Sequence, residues 1–348
     1  MPEPSLADLT TLRLGGSAAR YLPVTDDEAL VAAVSEADAA GEPVLVLGGG
    51  SNLVVADDGF PGTVVHLRGR GVDVHDDGCG VVSVTVAAGE PWDDLVARAV
   101  AEGWVGVEAL SGIPGTVGAT PIQNVGAYGQ EVAQTISRVR VWDRVLRGQR
   151  TFAAADCGFG YRHSRFKADR YDAWGGRHLV LDVTFDFHPG SLSAPVGYAE
   201  LARTLGVEVG ERAPLAEVRE AVLGLRRGKG MVLDAADPDT WSAGSFFTNP
   251  VVDPAQVPEG APSYPQPDGS VKTSAAWLIE HAGFGKGHGL DRSGAQVSLS
   301  TKHTLALTNR GGASTTELLE LAREVRAGVA ERFDITLVNE PVLVGCSL

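Results

Sequence analysis

Residues 43–55 read Pro-Val-Leu-Val-Leu-Gly-Gly-Gly-Ser-Asn-Leu-Val-Val, and the order of elements in this stretch decides the fold. Four apolar residues between a proline and a glycine run make a short buried strand. Gly48-Gly49-Gly50 after a strand invites comparison with the dinucleotide fingerprint. That motif needs a further glycine and a helix whose N-terminus meets the pyrophosphate. Here Leu53 opens a second apolar run, followed by a Gly/Pro turn and Val64-Val-His-Leu67, so the pattern is strand-loop-strand. A Rossmann domain is excluded, and an NAD-dependent dehydrogenase of that fold with it. The bare amides, with the side chains of Ser51 and Asn52, can still cradle a phosphate.

Working outward, Thr25-Asp-Asp-Glu28 is a capping-box pattern for a helix that carries Leu30, Val31 and Val34 and stops at Gly41. Beyond residue 70, β-rich runs (Val81–Ala87, Val139–Trp142, His178–Phe187) surround one short helix near Asp93–Glu102. This is an α+β arrangement, not a regular βαβ array. A loop at Ser193-Ala-Pro-Val-Gly leads into Tyr198–Leu205. An amphipathic helix follows, with Leu215, Val218, Val222 and Leu225 on one face, ending in Arg226-Arg227-Gly-Lys229. A Pro/Gly-rich region spans 250–270. Ser314-Thr-Thr-Glu317 is a second capping box, for a helix with Leu318, Val325 and Val329 inward, and Ile335–Val338 reads as a final strand.

At 348 residues the chain is long enough for two or three domains. A net charge of −15 argues against nucleic acid or membrane insertion at an anionic bilayer, but not against a small anionic ligand met by local cations. Cys79, Cys157 and Cys346 are far apart and form no C-x-x-C pair, which points to a reducing cytoplasm. The N-terminus lacks the basic and apolar regions of a signal peptide, and no apolar run reaches the ~20 residues of a membrane span. The histidines show no metal-ligand spacing, so no metal site is expected.

Residues 112–129, Gly-Ile-Pro-Gly-Thr-Val-Gly-Ala-Thr-Pro-Ile-Gln-Asn-Val-Gly-Ala-Tyr-Gly, are too broken for a regular period and too apolar for a solvated linker. Glycine lets backbone approach a ligand closely, and Gln123 and Asn124 bring both donors and acceptors. Three further segments carry potential chemistry. Tyr161-Arg-His-Ser-Arg-Phe-Lys167 presents Arg162 after a Gly-Phe-Gly turn, Ser242-Ala-Gly-Ser-Phe-Phe-Thr-Asn249 presents Ser245, and Glu340 stands between Asn and Pro. Taken singly, each is better explained as a surface ion pair, a turn cap or a strand end.

Taken together, in this order and spacing, they closely resemble the UDP-N-acetylenolpyruvoylglucosamine reductase family. The resemblance runs from Leu12-Arg-Leu-Gly-Gly through Val46-Leu-Gly-Gly-Gly-Ser-Asn52, Pro114-Gly-Thr-Val-Gly118 and Pro121–Gly129. It continues through Tyr161-Arg-x-Ser-x-Phe-Lys167 and Ala243-Gly-Ser-Phe-Phe-x-Asn-Pro250 to Glu340. It implies an α+β fold with a two-part FAD-binding region of the vanillyl-alcohol oxidase type and a C-terminal α+β substrate-binding domain. The implied division is 1–68, joined by the tail 341–348, then 69–228, then 229–340.

In that family Gly48, Gly49, Gly50, Ser51 and Asn52 line FAD, as do Gly115, Thr116, Gly118, Ala119, Thr120, Gln123, Asn124 and Tyr128. Tyr198 resembles the tyrosine that closes over substrate in the type I branch. Arg226, Lys229, Asn249, Tyr264 and Lys272 match positions that hold the nucleotide sugar. His303 stands where the family can place a glutamine. Ala119-Thr120 replaces a pair often found as serines, leaving Thr120 to supply the hydroxyl. The ending Val338-Asn-Glu-Pro departs from the more usual Glu-Pro-Glu-Val, with Glu340 keeping its spacing from Phe333.

The implied reaction belongs to peptidoglycan precursor synthesis. It is an NADPH-dependent reduction of the enolpyruvyl ether of UDP-N-acetylglucosamine, with hydride from FAD N5 and a proton from Ser245. Arg162 and Glu340 would stabilise the developing charge. A cytoplasmic monomer with small-molecule partners is expected. An alcohol oxidase of the same flavin fold has no evident use for Ser245 with Glu340, and a non-catalytic nucleotide-sugar sensor would not need them.

Overall fold

The structure, a computed structural model, describes residues 4–76, 78 and 80–348, so Cys79 lies outside the described residues. The chain forms two compact units. One comprises the segment up to Ala18, Gly50–Phe60 and Gly228–Leu348, and the other comprises Ala19–Gly49 and Pro61–Arg227. The mixed helices and sheets are those of an α+β fold.

In the second unit the helix Asp27–Ala40 starts one residue later than the capping box suggests. Asp26 is the cap, its carboxylate accepting from the Ala29 N–H at 2.8 Å. A charged acceptor at a helix N-terminus also gains from the helix dipole, which a Thr25 hydroxyl does not. The helix buries Leu30, Val34 and Ala37 against Val44, Val65, Leu179 and Leu181. Strand Val44–Leu47 runs parallel to Phe60–Leu67, with Leu47 opposite His66. No helix follows Leu47, as the sequence pattern requires: Gly48–Asn52 leads into strand Leu53–Val55.

A six-stranded sheet forms the bulk of this unit, centred on the long strand His178–Pro189. It pairs antiparallel with Ile136–Asp143 on one side and Val82–Ala87 on the other. Alternate residues Val183, Phe185 and Phe187 face inward and meet Trp92, Leu95, Val96 and Ala99 of helix Trp92–Glu102. That i, i+3, i+4, i+7 spacing is a single helix face, which is why the sequence locates this element within one residue.

Asp143 ends strand Ile136–Asp143 with its carboxylate fully buried. It accepts from Arg177 Nε at 2.8 Å and Nη2 at 2.7 Å, and from the Val145 and Leu146 amides at 3.0 and 3.1 Å. Burial pushes the carboxyl up, but the Arg177 fork and the Leu146 amide outweigh it and hold it well below the usual carboxylate range. With its folded pKa depressed, its contribution to stability is complete above the unfolded value near ~4 and is lost as pH falls through the folded value. Asp143→Asn is expected to cost on the order of 2–4 kcal/mol in urea unfolding at neutral pH. The gap to the parent protein should narrow as pH drops below about 4. A gap independent of acid would refute the linkage.

In the first unit, helix Thr315–Phe333 begins with the expected capping box, Ser314 and Glu317 each bonding the other's backbone. Leu318, Ala322, Val325 and Val329 pack with Phe246, Phe247, Leu278 and Ile279. The helix Ala275–His281, capped by Ser274, is too short for its period to show in the sequence. The Pro/Gly-rich region holds a small sheet in which Val251–Val252 and Ser263–Pro265 flank Val271–Thr273.

The expected strand Ile335–Val338 is not formed. Ile335 and Leu337 are buried and alternate with exposed neighbours, which mimics a strand, but the pairing nearby is an isolated bridge between Phe247 and Asn339. The final strand is instead Val342–Val344, which runs parallel to Leu53–Val55. Cys157 and Cys346 are free thiols, and burial pushes the Cys157 thiol up to about 11. Among the described residues no helix is long and apolar enough to cross a membrane.

Candidate active site

Gly48 and Gly49 belong to the second unit and meet the glycine-rich stretch there. A Cβ on Gly48 would lie 2.5 Å from Thr116 Oγ1, and one on Gly49 would lie 2.6 Å from Gly115 Cα. The two loops therefore touch through bare backbone. Gly115 and Thr116 are clipped in place by Trp92 N–H donating to the Gly115 carbonyl at 3.0 Å and Val117 N–H to Glu90 at 2.8 Å. The Thr116 hydroxyl is buried with no hydrogen-bond partner among the described residues. A buried hydroxyl left unspent costs free energy unless a ligand satisfies it. This cradle of glycine backbone and one unspent hydroxyl fits a phosphate-bearing cofactor such as FAD.

The stretch 112–129 is more ordered than its composition implies. It contains a 3₁₀ turn at Val117–Ala119, a helical turn at Thr120–Gln123 and a two-residue strand, Gly126–Ala127. Some of its glycines serve protein packing: a Cβ on Gly118 would strike Ala88, and one on Gly126 would crowd Gln130 and Glu131. Ala119 lies exposed at the end of the 3₁₀ turn. The Thr120 hydroxyl is buried and donates to the Val117 carbonyl at 2.8 Å, so its proton is already committed.

Asn124 is equally committed. Its amide nitrogen donates to Glu131 at 2.9 Å and to the Gly160 carbonyl at 3.0 Å, and its oxygen accepts from Ala133 at 3.2 Å. Gln123 accepts from Lys167 Nζ at 2.9 Å. Tyr128 meets Tyr198 edge to face at 5.6 Å, and Gly197 of the preceding loop lies against Gly129. Tyr198 is itself 46% exposed. Arg226, on helix Leu215–Gly228, is buried; burial pulls its pKa down to about 10, while Tyr128 and Asp93 favour its charged form. Arg162 donates from Nη2 to the Gly126 carbonyl at 3.1 Å, so it sits on the glycine-rich stretch itself.

Ser245 and Glu340 both belong to the first unit. Phe246 and Phe247 are anchored in the core, and the Phe246 carbonyl accepts from the Glu340 N–H at 2.8 Å. Thr248 N–H donates to Val338 at 3.0 Å, completing a short antiparallel pairing. Ser245 is thus one residue from the bond that positions Glu340. Tyr264 and Lys272 are directly opposed across their two strands. Asn249 has its oxygen on the Ala275 N–H at 3.0 Å, at the start of helix Ala275–His281. Lys229 follows helix Leu215–Gly228, and His303 lies in the turn before strand Leu307–Asn309. Gly50, Ser51 and Asn52 also belong to this unit: Gly50 accepts from Thr11 N–H at 3.1 Å, and Asn52 accepts from Val342 N–H at 2.9 Å.

Glu108 was not evident from sequence as part of this region. Fully buried, it accepts from Gly106 N–H at 2.7 Å, Gln130 Nε2 at 2.8 Å and Ala194 N–H at 2.7 Å. It ties the loop leading to Tyr198 to the end of the glycine-rich stretch. A lone acid inside the apolar run Val105–Leu110 was the available signal.

Residues 18–147, which contain the cradle, match the family profile described as an FAD binding domain. Residues 237–344, which contain Ser245 and Glu340, match the profile of the C-terminal domain of UDP-N-acetylenolpyruvoylglucosamine reductase. Fold and site define a flavin-dependent oxidoreductase. UDP-N-acetylenolpyruvoylglucosamine reductase from Cutibacterium acnes is 59% identical over 343 residues, covering 99% of this chain and 90% of that protein. The protein of the same name from Thermobifida fusca is 58% identical over 357 residues, covering 99% and 97%. The crystal structure of the Thermus caldophilus reductase matches with a TM-score of 0.66 at 26% identity, over 98% of this chain and 97% of that one. This chain belongs to the UDP-N-acetylenolpyruvoylglucosamine reductase family.

Proposed function

We propose that the chain reduces the enolpyruvyl ether of UDP-N-acetylglucosamine to UDP-N-acetylmuramate, with NADPH as the electron source, as a cytoplasmic monomer. The observation that carries this reading is the Phe246–Glu340 hydrogen bond, which pairs Glu340 with the residue after Ser245 inside the segment that matches the reductase C-terminal domain. Functionally we divide the chain into 1–68 with the tail 341–348, then 69–228, both for the cofactor, and 229–340 for the substrate.

Gly48, Gly49, Gly115 and Thr116 would hold the cofactor's phosphates by backbone amides and the Thr116 hydroxyl. FAD held there would supply hydride chemistry, with NADPH as its electron source. An enolpyruvyl double bond accepts hydride only because its carboxylate can take up the developing negative charge. Arg162 answers that charge with a fixed cation, and Glu340 with a hydrogen bond when protonated. Ser245 gives its proton to the adjacent carbon. A serine hydroxyl is a weak acid, so it needs a carbanionic acceptor and the help of a nearby cation such as Lys229. Asn249, Tyr264, Lys272, Arg226 and Tyr198 bind the nucleotide sugar.

The purified protein should be yellow, bleach with NADPH under anaerobic conditions and regain colour with one equivalent of enolpyruvyl substrate. A protein that never takes up FAD would end this reading. Because Tyr264 and Lys272 face each other across one strand pair, they should act on the same part of the UDP-sugar. Lys272→Ala should raise the KM for that substrate by about tenfold, with a smaller rise for Tyr264→Phe. The KM for NADPH should barely move; equal losses for both substrates would remove these residues from the sugar-nucleotide side.

A further inference from the structure

We infer that Lys167 is a positioning residue for the reaction, acting through Arg162; the inference rests on the charge-stabilising role proposed for that arginine. Arg162 sits at the tip of a tight turn in which Gly160 and His163 exchange backbone hydrogen bonds at 3.0 and 3.1 Å. Its φ is +51°, a left-handed conformation uncommon for residues other than glycine. The Lys167 ammonium donates to the Arg162 carbonyl at 3.0 Å. The same ammonium donates to Gln123 Oε1 at 2.9 Å, which fixes it from the side of the glycine-rich stretch. Because an ammonium has no acceptor, it must be the oxygen end of Gln123 that it meets.

Lys167 is itself well anchored. It lies in the helical turn Arg165–Ala168, capped by Ser164, whose hydroxyl is buried and donates to the Ile122 carbonyl at 2.8 Å. The base of the turn is held by Asn124 Nδ2 on the Gly160 carbonyl. The tip is held by Lys167 on the backbone of Arg162 and by Gly126 on its guanidinium. Removing the ammonium frees the Arg162 peptide to leave the left-handed region, and the guanidinium direction changes with it. Orientation errors in a charge-stabilising group are costly to rate.

The test uses the FAD-loaded enzyme and separates its half-reactions by stopped-flow absorbance. Lys167→Met should retain FAD and be reduced by NADPH within about threefold of the parent rate, yet be reoxidised by enolpyruvyl-UDP-N-acetylglucosamine about 100-fold more slowly. Lys167→Arg, which keeps a donor cation, should recover about tenfold of that loss. In an Arg162→Ala background the Lys167→Met effect should shrink to under about threefold, since the residue it positions is gone. Full additivity of the two substitutions would overturn the inference, as would equal slowing of both half-reactions. Failure of Lys167→Met to give folded, yellow protein would also overturn it, by showing that the ammonium holds the whole unit. If Arg162→Ala alone left reoxidation unchanged, the role proposed for Arg162 would fall, a result distinct from additivity.

Discussion

Ser245→Ala is expected to bind FAD and accept electrons from NADPH normally, while its reoxidation by the enolpyruvyl substrate falls by roughly 10²–10⁴-fold. The split follows from the chemistry of the two halves. Hydride transfer from NADPH to flavin needs no acid in the first unit, whereas reduction of the enolpyruvyl group leaves a carbanionic carbon that must be protonated. Ser245 precedes two fully buried phenylalanines and follows Gly244, whose φ of +71° turns the chain sharply there. The hydroxyl is therefore presented on a rigid base, and its removal leaves the Phe246–Glu340 pairing intact. Melting temperature and FAD content should match the parent. Stopped-flow traces in which both half-reactions survive would show that another group delivers the proton. Water in place of the hydroxyl would still allow slow turnover, so the residual rate should carry a larger solvent isotope effect than the parent's.

Gly49→Ala is expected to abolish retention of FAD on desalting. The new Cβ would meet Gly115 at 2.6 Å from Cα, 3.1 Å from the carbonyl carbon and 3.3 Å from the amide nitrogen. All three are backbone atoms, so no side-chain rotation relieves the clash, and the two loops must part. Overpacking of this kind costs about 1–3 kcal/mol of stability. On the proposed reading the larger consequence is for the cofactor, because the amides and the Thr116 hydroxyl would no longer face one ligand. Gly224→Ala is the matched control. It lies inside helix Leu215–Gly228, where an added Cβ would have nothing within 4 Å, and should stabilise by about 0.5–1 kcal/mol without altering colour. A Gly49→Ala protein that keeps a full complement of FAD would remove the Gly48–Gly49 loop from the cofactor site.

The local sequence determined those features whose cause is local. The capping box at Ser314 and Glu317, the apolar face from Trp92 to Ala99 and the strand-loop-strand at 44–55 depend on neighbours within a few positions. They were legible for that reason, and rejection of a dinucleotide helix after Gly50 came with them. The motif order likewise disclosed the family and its flavin. Where two local signals competed, the margin was one residue, as at Asp26 over Thr25.

Only the tertiary structure decided what long-range contact controls. Alternation at Ile335–Val338 resembled a strand, but pairing needs a partner, and the available partner at Phe246–Thr248 offers two hydrogen bonds before it turns away. The parallel partner of Leu53–Val55 lies almost three hundred positions along the chain, at Val342–Val344, beyond the reach of any local pattern. The glycine-rich stretch shows the same division. Its composition announced close backbone approach, but not to what. Packing assigned Gly118 and Gly126 to protein neighbours and spent the Asn124 amide inside the fold. It packed Gly48 and Gly49 against Thr116 and Gly115 and left the buried Thr116 hydroxyl without a partner among the described residues, because a hydrogen-bond partner or a clash is a property of atoms brought together by folding.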